Sequence, residues 1–202
     1  MYEYLTGKAT ILSADALAID AGGVGYRVSV TPRTAGNIQD GDAVRLYIHM
    51  QAYSQVNDIS FVLFGFPTRE EREMFERLLS VSGIGPKVAM AVLSRLSVNE
   101  LAIAIMAEDA AALSKINGIG AKTAQRIILE LKGKVQGKDA AGSAFTTAEQ
   151  EKGGILQEAI AALTALGYAP SEAARAVSSA KEGAKTVEEL ILKALKGMND
   201  RR

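Results

Sequence analysis

The sequence predicts an α+β chain in which a small β-barrel leads and helices follow. Three observations carry that reading. Apolar residues alternate with polar ones through the first third, and the apolar period lengthens to that of a helix from Pro67 onward. A Gly-Ile-Gly triplet also recurs between helical patterns, at Gly83-Ile84-Gly85 and again at Gly118-Ile119-Gly120.

Residues 1–66 read as strands. Val24, Tyr26, Val28 and Val30 alternate with small or polar partners, as do Val44, Leu46, Ile48 and Met50, and more briefly Leu17 and Ile19, which is the pattern of half-buried strands. An opening strand near Leu5 to Leu12, a closing one near Ile59 to Phe64 and a turn at Gly22-Gly23 bring the count to five. That count and order fit a Greek-key barrel of the oligonucleotide-binding type. Thr34 to Gln39 is a short helix or turn. Gln51 to Asp58 reads as a long polar hairpin tip, and His49 as a partly buried strand residue.

Residues 67–135 read as one helical domain. Thr68 with Glu71, and Ser97 with Glu100, have the spacing of capping boxes, in which side chain and backbone satisfy each other's free amides. Met74, Phe75, Leu78 and Leu79 form an apolar stripe leading into the first triplet; Leu101, Ile105 and Met106 line the next helix; Ala124, Ile127, Ile128 and Leu131 mark a helix ending near Gly133. Residues 136–154 have no periodic face and read as a flexible linker, with a mean span of roughly 24 Å as a random coil. Residues 155–202 are helical again, in three segments: Ile155 to Leu166, Pro170 to Ala180, and one opened by Thr186 and Glu189. Such a unit lies near the lower size limit for unaided folding, and its place on a linker suggests a module that docks a protein partner.

The triplets carry the chemistry. In each, the first glycine suits the positive φ that ends a helix, and the second lets a ligand approach the backbone because no Cβ intervenes. A helix starts directly afterwards, so unpaired amides and the positive end of its dipole face outward. Pro86 suits the first helical position. Lys87 and Lys122 follow their triplets at the same offset, and Arg126 shares a helical face with Lys122. A lone Gly-x-Gly is more often a plain helix cap, but two copies with the same central residue and the same lysine offset point to a duplicated phosphate clamp.

Charge agrees with local rather than bulk attraction for an anion. The 202-residue chain has 23 basic and 23 acidic side chains, yet residues 67–135 alone are net basic, with ten against eight. A neutral chain does not coat nucleic acid by overall charge. With 48% hydrophobic and 23% charged residues it has ordinary globular composition. No stretch reaches the roughly 18 apolar residues of a membrane span. Cysteine is absent, which excludes disulfides, thiolate metal sites and a cysteine nucleophile. No cluster of acids has metal-site spacing, so no catalytic residue, metal or cofactor is assigned. A cytoplasmic protein is the simplest inference.

Taken together, Gly22-Gly23-Val24-Gly25-Tyr26, Leu63-Phe64-Gly65-Phe66, the paired triplets and Ala161-Ala162-Leu163-Thr164-Ala165-Leu166-Gly167-Tyr168 resemble the RuvA family of Holliday-junction-binding subunits. The resemblance implies a barrel, two helix-hairpin-helix motifs, a linker and a three-helix, UBA-like terminal domain. It also implies a homotetramer, with an octamer on DNA as the alternative, bound to a four-way junction. The hexameric RuvB ATPase would dock on the terminal domain, and the RuvC resolvase would be a further partner. DNA-binding residues would be Gly83, Ile84, Gly85 and Lys87 in one hairpin, and Gly118, Ile119, Gly120, Lys122, Thr123 and Arg126 in the other. The partner-binding residues would be Leu163, Leu166, Tyr168, Leu190 and Leu195. The family's acidic pin, usually two adjacent acids, would be represented by Asp58 alone.

Two enzymatic readings compete. The second hairpin resembles that of base-flipping glycosylases, but the first aspartate after it is Asp139, already in the linker. A self-contained helicase would need a nucleotide-phosphate loop, and no Gly-x-x-x-x-Gly-Lys-Ser/Thr segment exists.

Overall fold

The computed structural model describes residues 2–55, 58–135, 148–181, 184 and 186–199. It divides into two compact units, Met1–Ser80 with Ile84–Arg95, and Val81–Gly83 with Leu96–Arg202.

The first unit opens with β1 (Tyr4–Ser13), β2 (Ala16–Ala21), β3 (Val24–Ser29), a short helix α1 (Pro32–Gly36), β4 (Ala43–Gln55) and β5 (Asp58–Phe66). The strands close into a barrel in the order β1-β2-β3-β5-β4. Neighbours are antiparallel except β3 and β5, which pair in parallel at Val28 with Leu63 and Ser29 with Phe64. The alternation seen in the sequence sets the interior: Leu5, Leu17, Ile19, Val28, Val30, Leu46 and Ile48 form one buried cluster. Leu5 sits opposite Leu46, and Leu17 opposite Val28, so cross-strand pairs fill the barrel. Val24 departs from its expected half-burial and is exposed, because it stands at the hairpin end, where no further row covers it.

Gln51 to Asp58 also differs from the expected polar tip. β4 and β5 stay paired to Gln55 and Asp58, so most of this segment is a two-stranded ribbon. Its aromatic and β-branched residues favour extension, and Ile59 and Phe61, on one face opposite Ser54 and Ala52, are exposed.

Helix α2 (Arg69–Leu79) starts at Thr68, whose hydroxyl accepts the Glu71 amide at 3.2 Å. It buries Met74, Phe75 and Leu78. The Phe75 ring lies 4.9–5.3 Å from Phe66, Phe64 and His49, centre to centre, and clamps the helix to the barrel. Arg72 Nη1 reaches the Glu3 carboxylate at 2.9 Å, and this contact holds the Glu3 pKa below its ordinary value. His49 Nδ1 lies 3.1 Å from Glu76, so the only histidine joins the strand-to-helix contact. Helix α3 (Pro86–Arg95) buries Ala89, Val92 and Leu93, and Arg33 of α1 donates to the carbonyls of Leu93 and Ser94 at its C-terminal end.

The second unit contains α4 (Val98–Met106), α5 (Ala110–Ser114), α6 (Ala121–Val135), α7 (Ala148–Ala165), α8 (Pro170–Ala180) and α9 (Val187–Asn199). Ser97 and Glu100 form the reciprocal capping box. Leu101 and Ile105 of α4, Leu113 of α5, and Ala124, Ile127 and Leu131 of α6 are buried. Helix α5 was not legible as an apolar period, being five residues long. Its signal was Asp109, whose carboxylate caps the Ala112 amide at 2.9 Å.

The linker reading needs correction at its end. Residues 136–147 lie outside the described residues, but α7 already begins at Ala148. Ala148, Glu149, Gln150, Glu151 and Lys152 are strong helix formers, and they continue the helix ahead of the apolar stripe from Ile155. In α7–α9, Ala159, Ile160, Leu163, Ala173, Ala174, Val177, Leu190 and Ala194 form a core that also takes in Ile103 of α4 and Ala107, which caps the end of α4. Gln157 donates to Asn99 at 3.0 Å beside it.

Candidate nucleic-acid interface

The two Gly-Ile-Gly turns have the same local geometry. Gly83 has φ +86° and Gly118 φ +88°, in the left-handed region where a Cβ is strained. Ile84 and Ile119 are buried, 6% and 5% exposed. Each therefore anchors its turn in the protein interior. Gly83, Gly85, Gly118 and Gly120 are exposed, and a Cβ at Gly85 or Gly120 would meet nothing within 4 Å.

The helix starts differ in what they offer. Gly120 caps α6, its carbonyl accepting the Ala124 amide at 2.9 Å, which leaves the amides of Ala121, Lys122 and Thr123 without intrahelical acceptors. In α3, Pro86 has no N–H, and the Val88 amide turns onto the Gly85 carbonyl at 3.0 Å. Lys87 alone keeps a free first-turn amide there. The second hairpin is the richer donor site. Lys87 and Lys122 are exposed and have no ion-pair partner among the described residues, so both charges are available to a ligand. Arg126 is exposed too, but its Nη1 donates to the Ser82 carbonyl at 3.0 Å.

Such an array can hold phosphate oxygens by backbone amides, dipole and lysine charge, and contains nothing that reads a base. Among the described residues no three His, Asp or Glu side chains gather as metal ligands. No single described helix is long and apolar enough to cross a membrane.

Comparison with known proteins places these features. Residues 1–65 match the family model for the RuvA N terminal domain, residues 75–134 that for the SAM-like helix-hairpin-helix tandem, and residues 154–199 that for the RuvA C-terminal domain. A protein of Ruminiclostridium cellulolyticum named Holliday junction branch migration complex subunit RuvA is 40% identical over 98% of this chain and 100% of its own length. The chain belongs to the RuvA family. Relatives of the same name from Alkaliphilus oremlandii, 39% identical over 97% of this chain and 98% of theirs, and Pseudomonas syringae, 38% over 90% and 92%, agree.

The remaining RuvA-type site residues fall in different environments. Asp58 opens β5 opposite Gln55, and its side chain lies outside the described residues. Leu163 and Leu190 are 0% and 1% exposed. They belong to the buried core of α7–α9, where the helical period stacks Leu163 over Ala159 and Ile160. Tyr168 and Leu195 are half-buried against that core. Leu166 is exposed, and so is Leu192, which sequence reasoning passed over since it lies off the apolar stripe. Thr123 is half-buried at the start of α6.

Proposed function

We propose that this chain binds four-way junction DNA and brings a hexameric ATPase of the RuvB type to it, performing no bond-breaking itself. The observation that carries the reading is the pair of solvent-facing glycine turns, alike in φ, in buried isoleucine and in lysine offset, within a RuvA-family chain. Such clamps grip the sugar-phosphate backbone at any sequence and leave selectivity to the shape of the junction. Gly83, Gly85 and Lys87 hold one phosphate run, and Gly118, Gly120, Lys122 and Thr123 another. Asp58 acts as the acidic pin, repelling phosphates at the crossover so that arms stay apart. Leu166, together with Tyr168 and Leu195, supplies the apolar contact for the motor. A homotetramer suits a four-armed substrate, and the cysteine-free composition suits the cytoplasm.

The deciding experiment incubates the purified chain with a labelled four-way junction and with linear duplex of the same sequence. Preferential retardation of the junction, with no strand cleavage, no base release and no ATP hydrolysis by the chain alone, is expected. Equal affinity for both DNAs, or cleavage, would overturn the reading.

A further inference from the structure

Arg126 behaves unlike the clamp lysines. Its Nη1 lies 3.0 Å from the Ser82 carbonyl and 3.5 Å from the Ser82 hydroxyl. The same nitrogen would stand 3.6 Å from a Cβ at Gly83. A residue on the helix after the second turn thus lies over the peptide that enters the first. That peptide is trans, so its carbonyl and the Gly83 N–H point in opposite directions across one rigid plane. Fixing the carbonyl fixes the N–H.

We propose that Arg126 is a positioning residue that locks the Ser82–Gly83 peptide and thereby aims the Gly83 amide outward at a backbone phosphate. The inference rests on the phosphate-binding reading of the turns and adds how one of them is held. Arginine suits the task because its planar fork carries five donors. One nitrogen serves the carbonyl, and Nε and Nη2 remain for the ligand side. A lysine, a single point charge on a shorter fork-free chain, cannot hold a fixed plane and face a phosphate at once.

The test has an arm without DNA. The backbone 15N order parameter of Gly83 in the free protein is expected to fall from about 0.85 to below about 0.6 in Arg126→Ala and Arg126→Lys, because the peptide plane is released. It should stay at the wild-type value in Lys122→Ala and in Ser82→Ala, which keeps the carbonyl. An unchanged order parameter in Arg126→Ala, full retention in Arg126→Lys, or a fall in Ser82→Ala would each overturn the proposal. The second arm measures junction affinity against salt. Arg126→Ala and Lys122→Ala each remove one cation, so both slopes fall alike, by about 0.9 per subunit engaged. Arg126→Ala should in addition lose about fivefold more affinity at every salt concentration. Equal losses would count against it. Wild-type affinity in both variants would sink the phosphate reading of the turns instead, and the order-parameter arm would still decide whether the brace exists.

Discussion

Gly120→Ala separates folding from binding. A Cβ at Gly120 would meet no atom within 4 Å, and its φ lies outside the left-handed region. Two small terms then set stability. Alanine is a poorer helix cap than glycine by roughly 0.5 kcal/mol or somewhat more, while its stiffer unfolded chain returns about 0.4–1 kcal/mol. They nearly cancel, so the urea midpoint should stay close to wild type. Binding has no such compensation. The methyl stands in the open space through which a phosphate must approach the Ala121, Lys122 and Thr123 amides. Displacing it loses hydrogen bonds to a charged group, worth about 1.5–3 kcal/mol, or roughly tenfold to a hundredfold in affinity. Fluorescence anisotropy with a labelled four-way junction, run beside a urea titration, measures both. Unaltered affinity in a normally folded Gly120→Ala protein would refute the idea that the open side of this turn is the ligand side. Gly85→Ala should weaken binding less, because Pro86 and Val88 leave fewer amides to lose.

Other perturbations test the frame and the charges. Gly118→Ala, at φ +88°, should cost about 1–2 kcal/mol of stability by urea unfolding, unlike its neighbour Gly120. Phe75→Ala, removing a fully buried ring packed on Phe64 and Phe66, should cost about 3–5 kcal/mol, and a loss under 1 kcal/mol would show that the ring does not clamp α2. Glu108 accepts a hydrogen bond from Lys132, which lowers its pKa. Its contribution is therefore present above the unfolded-state pKa and fades as pH falls through the lower folded value; an NMR titration should place Glu108 below the ordinary carboxylate midpoint, and Lys132→Met should return it. Lys122→Ala should weaken binding to junctions of differing sequence equally, and a sequence-selective loss would contradict a backbone contact.

Much of the fold was legible because its causes are local. Period-two alternation in Val44, Leu46 and Ile48, and cap residues such as Thr68 and Ser97, act within a few positions of themselves. The turns were legible for the same reason, since a glycine at positive φ followed by a helix start leaves a short signature. What escaped depended on distant partners. Nothing near Arg126 in sequence marks Ser82 as its acceptor, and Ser82 lies 44 positions away. The family resemblance names Leu163 and Leu190 beside Leu166 without telling buried from exposed, for an exposed apolar contact and a core contact use the same residue types. Residues 148–154 looked unstructured because they carry no periodic apolar face, yet their helix formers extend α7 ahead of the packed stripe from Ile155.

Closure of the barrel has a consequence for how copies of the chain can meet. Every stave is bonded on both flanks within the barrel, so the spare strand edges that could zip onto another chain lie where β4 and β5 run on as a ribbon past their other partners. The two-rung seam between β3 and β5 is the thinnest joint, and it is where thermal breathing of the cylinder should begin.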